Sequence, residues 1–151
     1  MMEVTIRKAT RDDFPAIFLL IKEFAAFQQS EEKLLTTVEQ MLEDENLFQA
    51  FIALENKRVI GFCTFFYAYY SWSGKAIYID DLYITAAFRK NGTGKQLLNT
   101  VIALAKENQC RKIRWQVSKW NINAIDFYKK IGADIDEIEI NCDLVLQEKG
   151  V

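Results

Sequence analysis

The chain contains no histidine. That absence removes serine–histidine and cysteine–histidine nucleophile pairs, histidine zinc sites and an imidazole general base. Acid–base chemistry is left to carboxylates, tyrosine, lysine, cysteine, water and backbone. Proline occurs once and glycine six times in 151 residues. No linker-like stretch divides such a sequence, and one domain, 1–151, is expected. The three cysteines, Cys63, Cys110 and Cys142, are far apart and never form a CxxC pair. They read as reduced core residues of a cytoplasmic protein, with neither a disulfide framework nor a metal site. Neither sign of charge dominates: 19 basic against 21 acidic side chains give a net charge of −2. That balance offers no field for a nucleic-acid backbone. The longest apolar run, Val59 to Tyr70, suits a buried strand and is too short to cross a bilayer. The start, MMEVTIRKATRDD, has no apolar signal core, so no membrane partner is expected.

What is present is a regular alternation of periods. Val4–Arg7 reads as a short edge strand. Thr10 with Asp13 three residues on resembles a capping box, Pro15 suits a first helical turn, and an apolar stripe runs to about Phe27. Thr36 with Glu39 opens a second, shorter helix. Leu47–Leu54, Val59–Tyr70 and Ala76–Thr85 are strands of an antiparallel meander, joined by ENKR and by Ser71–Lys75. Leu97, Leu98, Val101, Ile102 and Ala105 mark a third helix, and Lys112–Val117 a further strand. Asn121 caps a fourth helix that Gly132 ends. Two closing strands are expected near Ile135–Ile140 and Asp143–Leu146. The class is α/β (α+β) with a mixed sheet.

The most informative stretch is Tyr78–Leu98, YIDDLYITAAFRKNGTGKQLL. A strand runs into Arg89-Lys-Asn-Gly92-Thr-Gly94 and then directly into a helix. Inward-turned amides and the helix N-terminus make a phosphate cradle, which Arg89 can clamp. A Walker A loop would need glycine at position 89 and Ser/Thr after Lys95, where Arg89 and Gln96 stand. A dinucleotide fingerprint would need glycine where Leu97 stands. Upstream, Asp80 and Asp81 end an otherwise apolar strand. They face opposite ways unless a bulge intervenes, and at least one must meet a cleft or a cation.

RKNGTG resembles the acetyl-CoA pyrophosphate loop of the GNAT N-acetyltransferases. Trp115-Gln-Val-Ser-Lys-Trp-Asn121, Ala124-Ile125-Asp-Phe127-Tyr128-Lys and Gly132-Ala133 match their second signature. TIRKAT, LIKEFAAF, EEKL and SWSGK extend the likeness over nearly the whole chain. It looks most like the diamine and polyamine branch, the spermidine/spermine and thialysine N-acetyltransferases. The resemblance implies a mixed, mostly antiparallel sheet of about seven strands flanked by four helices. It also implies acetyl-CoA as co-substrate and a homodimer.

Residue by residue, the resemblance assigns Arg89, Lys90, Asn91, Gly92, Thr93, Gly94 and Lys95 to the pyrophosphate. Asn121, Ile122, Asn123 and Ala124 are assigned to the pantetheine arm, and the backbone of Leu82, Tyr83 and Ile84 to the thioester carbonyl. Tyr128 becomes the acid for the leaving thiolate. Asp80 becomes the base or cation binder, with Asp81 in support. Glu31 and Glu32 lie on the loop folded over the acceptor. Phe27 and Gln28 stand where the polyamine enzymes usually place tyrosine and glutamate, and Asp80 where they usually place glutamate. These departures leave the acceptor open among diamines, polyamines, thialysine-like amino acids and other small amines. Protein or peptide N-acetylation and a non-catalytic acyl-CoA-binding module are the alternatives. Trp72, Trp115 and Trp120 are expected to pack the core or line the cleft.

Overall fold

A computed structural model of the chain describes residues 3–147. They fall into two compact units that divide between Trp115 and Gln116.

In the first unit Asp13 fastens the start of the leading helix. Its carboxylate accepts from Thr10 N–H at 2.8 Å and pairs with Arg7 at 2.8 Å. After a 3₁₀ turn over Arg11–Asp13, helix α1 runs over Phe14–Phe27, with Pro15 in its first turn. Phe14, Ile17 and Leu20 form its buried face. Helix α2, Val38–Glu43, is capped by Thr37, whose Oγ1 accepts from Gln40 N–H at 3.1 Å. The cap thus lies one residue beyond the expected Thr36, because Thr37 holds the extended backbone that a cap requires.

Five strands follow one order across the sheet: β1 Thr5–Lys8, β2 Gln49–Glu55, β3 Arg58–Tyr70, β4 Gly74–Ile84 and β5 Lys112–Arg114. The first four pair antiparallel. Asn56 and Lys57, both with positive φ, make the two-residue turn between β2 and β3. A parallel neighbour needs a crossover. Helix α3, Thr93–Glu107, supplies it between β4 and β5. Ile60–Phe65 is buried without a break, as expected of a strand covered on both faces. Phe24 of α1 stacks on Tyr83, while a Cβ at Gly94 of α3 would meet Ile84. Consecutive strand residues point to opposite faces, so α1 and α3 cover opposite sides of β4.

In the second unit α4 spans Ile122–Lys130, with Asn121 Oδ1 accepting from Ala124 N–H at 3.3 Å. Gly132 beyond it has φ +94°, the left-handed residue expected there. The two closing strands are not found: 133–147 forms no strand, so the sheet has five strands and not about seven. The physical reason is local. Asp136 Oδ1 takes the amides of Ile138 and Glu139 at 2.8 and 3.3 Å, an Asx turn that consumes donors a ladder would need. Ile138, Ile140, Leu144 and Leu146 are left exposed. Among the described residues no helix is long and apolar enough to cross a membrane.

Candidate active site

The β3–β4 ladder carries a bulge at the acid pair. Thr64 faces Asp81 and Phe65 faces Ile79, which leaves Asp80 as the unmatched residue. Asp81 N–H donates to Thr64 Oγ1 at 3.2 Å, pinning the irregularity. Burial pushes the Asp81 carboxyl up to about 7, and the charge of Asp80 adds to the effect. Asp80 is exposed, yet the protein around it still raises its carboxyl by desolvation. The salt bridges among the described residues, Arg7–Asp13 and Arg11–Glu45, involve neither acid. Two adjacent carboxylates without a cation are costly, and a bound ammonium relieves that cost.

The same strand presents amides. Thr85 N–H donates to Ile60 O at 2.9 Å. The antiparallel alternation then commits Tyr83 N–H to β3 and turns Leu82 and Ile84 N–H to the opposite edge. β5 pairs with that edge only over Ala76–Tyr78. From the bulge onward the edge of β4 is therefore clear of β5, with two amides available to a carbonyl oxygen.

Past a 3₁₀ turn over Ala86–Phe88, Lys90 and Gly92 both take left-handed backbone, at φ +67° and +79°. Gly92 caps α3 and Thr93 is buried behind it. A Cβ on Gly92 would meet nothing within 4 Å, so open space lies in front of the loop. Positive φ at alternating residues ahead of a helix N-terminus turns amides toward that space. The loop therefore fits a phosphate-bearing group. Gly61 on β3 answers a different need: an added Cβ would fall 2.4 Å from Ile84 Cδ1 and 3.0 Å from Tyr83 O. Its bareness lets β4 lie flat where the amides are presented.

Arg89 does less for a ligand, and more for the protein, than the sequence suggests. Its Nε donates to Ile84 O at 2.7 Å, leaving only the terminal nitrogens for a phosphate. The guanidinium lies over Phe27 and Tyr83, 4.7 and 5.1 Å from the ring centroids. Tyr83 O–H donates to Glu23 Oε2 at 2.6 Å. Burial first, and then this bond, push the phenol up to about 12. Phe27 is thus a platform for Arg89, tying the end of α1 to the glycine loop. Sequence reading missed Glu23 and the Tyr83 hydroxyl. The i, i+4 spacing of Glu23 and Phe27 on α1 was the available signal.

The remaining expected residues lie as follows. Gln28 ends α1, its N–H donating to Phe24 O at 2.9 Å. Glu31 and Glu32 form an exposed 3₁₀ turn with Lys33. Asn91 and Lys95 flank Gly92 and Gly94 in the glycine loop and first turn of α3. In the second unit, Asn121–Ala124 form the capped start of α4. Tyr128 stands two turns on, its ring 5.6 Å from that of Phe127. Neither Trp72, fully exposed on the β3–β4 turn, nor Trp120, 58% exposed, packs the core, which leaves the cleft-lining alternative for both. Trp115 is half-buried. Of the cysteines only Cys63 is core, its thiol pushed up to about 12 by burial, whereas Cys142 is exposed.

Residues 5–133 match the Acetyltransferase (GNAT) family. Spermidine/spermine N(1)-acetyltransferase-like protein 1 of Homo sapiens is 33% identical over 139 residues, which is 85% of this chain and 20% of that one. This chain thus spans a fifth of the human protein's length. A thialysine N-epsilon-acetyltransferase of Caenorhabditis elegans is 31% identical over 133 residues, 87% of this chain and 83% of that one. An aminoglycoside acetyltransferase from an uncultured soil metagenomic sample, solved in complex with trehalose, is alike in fold. Its TM-score is 0.78 at 24% identity, over 95% of this chain and 97% of that chain. A bulged strand with clear edge amides, a glycine turn into α3 and this family match agree: the chain belongs to the GNAT acetyltransferases and is an enzyme acting on amino groups.

Proposed function

We propose that the chain transfers the acetyl group of acetyl-CoA to a primary amine of a small cationic acceptor, by direct attack in a ternary complex. A diamine, a polyamine and a thialysine-like amino acid all fall within that class. The observation that carries this reading is the uncompensated Asp80–Asp81 pair on a strand whose next amides, Leu82 and Ile84, face an unpaired edge. An acid pair of that kind selects an ammonium, and the amides polarise an acyl oxygen beside it.

Acetyl-CoA supplies an acyl thioester, which a neutral amine attacks. The chain's residues do the rest. Lys90 to Lys95 hold the pyrophosphate, mainly through backbone amides, and Asn121 to Ala124 hold the pantetheine arm. Asp81 fixes the incoming ammonium, and Asp80, at the solvent side, takes its proton through water. Tyr128 keeps a phenolic proton for the departing thiolate; a phenol ordinarily near pKa 10 can donate to a thiolate ordinarily near 8.5. Glu31 and Glu32 draw a cationic acceptor in. Assembly as a cytoplasmic homodimer belongs to the same reading, on the strength of the family likeness.

The test is thiol release from acetyl-CoA with a panel of amines. Amine-dependent release, lowered at least a hundredfold in Asp80→Asn, is expected. Tight acetyl-CoA binding without release for any amine contradicts the reading.

A further inference from the structure

The last turn of α1 grips the end of β4 and the first residue of the glycine loop. Phe24 stacks on Tyr83, the ring centroids 4.9 Å apart and the planes 21° from parallel. Tyr83 carries the Arg89 guanidinium 5.1 Å from its ring centroid, and Phe27 carries it at 4.7 Å. Glu23 accepts a bond from the Tyr83 hydroxyl at 2.6 Å. Glu23, Phe24 and Phe27 stand at i, i+1 and i+4 of the helix, so one face of a single turn makes all of these contacts. The salt bridges among the described residues, Arg7–Asp13 and Arg11–Glu45, involve neither Arg89 nor Glu23.

Arg89 is held from two directions. Its Nε donates to Ile84 O at 2.7 Å, and the two rings cover the guanidinium. The residue that follows it is strained. Lys90 takes φ +67°, a left-handed backbone that a residue with a Cβ adopts at a cost and keeps only where its surroundings hold it. The backbone bond that closes the preceding 3₁₀ turn, from Arg89 N–H to Ala86 O, is long at 3.4 Å. The Arg89 side chain is therefore the firmer anchor for the entry to the loop. Phe27 is 47% exposed, so the core does not account for it, and its ring is spent on the cation.

We propose that Phe27 is a positioning residue for the acyl donor and not a contact for the acceptor amine. By holding Arg89 it keeps the entry to the glycine loop in the conformation that receives the pyrophosphate. This rests on the acetyltransferase reading above. Lys90 and Gly92 then keep their left-handed backbone in the free protein, and the order that a phosphate would otherwise impose is already in place. The consequence is selectivity among donors. A thioester that carries a pyrophosphate gains from the stack, and one that ends at pantetheine does not.

The experiment compares the parent with Phe27→Leu, which keeps apolar bulk without a π face, and with Phe27→Tyr, which keeps the ring. Each protein receives acetyl-CoA or S-acetylpantetheine as donor with one accepted amine, and calorimetry measures acetyl-CoA binding without turnover. Phe27→Leu should raise Kd and KM for acetyl-CoA roughly threefold to thirtyfold, the range that a cation–π contact covers. Its KM for the amine at saturating acetyl-CoA, and its kcat/KM with S-acetylpantetheine, should match those of the parent. Phe27→Tyr should restore the acetyl-CoA affinity. Arg89→Ala should weaken acetyl-CoA at least as much, and adding Phe27→Leu to it should change nothing further. Equal losses with both donors, or a raised amine KM at unchanged acetyl-CoA affinity, would overturn the proposal. If no amine gives thiol release, the transfer reading itself fails, and calorimetry still reads the donor site on its own.

Discussion

Replacing Asp81 with asparagine should make the protein more stable at neutral pH while disabling it. Burial and the neighbouring charge of Asp80 hold the Asp81 carboxyl at about 7 in the folded protein. In the unfolded chain it titrates near 3.9. Between these values the native state keeps a proton that the unfolded state has lost, so stability falls as pH rises through that window. Each pH unit is worth about 1.4 kcal/mol, and the window spans roughly three units, giving an upper figure of about 4 kcal/mol. Asp81→Asn removes the titration. Its advantage over the parent should be small near pH 4, grow through pH 5 and 6, and level off above about 7 to 8. Urea denaturation of both proteins at each half pH unit measures the difference, and titrating groups that do not interact with Asp81 cancel in the subtraction. A constant difference across this range, or a variant no more stable than the parent at pH 8, would show that Asp81 does not hold an extra proton in the folded protein. Stability given up at an acid pair is what a cation-binding site requires.

Further outcomes follow from the loop and the strand that frame the site. Gly92→Ala forces a side chain into φ +79° and should cost about 1–2 kcal/mol in urea melts, with weaker acetyl-CoA binding by calorimetry. Gly61→Ala drives a methyl against Ile84 and the Tyr83 carbonyl and should cost about 1–3 kcal/mol, read as a lower urea midpoint at unchanged slope. Tyr83→Phe removes the O–H bond to Glu23 and should cost about 1 kcal/mol, with little change in acetyl-CoA affinity.

The parts of the fold governed by short-range chemistry were legible in the sequence. Thr10, Asp13 and Pro15 place the start of α1, and the glycines of RKNGTG place the turn into α3, because caps and left-handed residues act locally. Asp80 and Asp81 stood out as acids in an apolar strand. Which of them would be matched across the ladder depended on β3, and Thr64, seventeen residues earlier, carries no signal of its role as the hydroxyl partner of Asp81. Arginine suits phosphate, so the sequence offers Arg89 as a clamp. Its commitment to Ile84 O and two rings depends on where α1 ends. The alternating apolar residues of 135–146 suggested strands, but alternation states only what a strand would bury, and Asp136 spends the first amides on a turn. Of the two places expected for Trp72, core or cleft, the core is ruled out because a tight turn puts it in solvent.

The role proposed for the bulged acid pair is to select an amine and manage its proton. The direct measurement is the pH profile of kcat/KM for acetyl transfer to acceptors of different amine pKa, in the parent and in Asp80→Asn and Asp81→Asn. Activity in the parent is expected to rise with pH, with an ascending limb near 7 common to all acceptors. That limb should vanish in Asp81→Asn, and the rate should collapse at every pH in Asp80→Asn. Parent and variants with superimposable profiles that follow only the acceptor's own pKa would contradict that role.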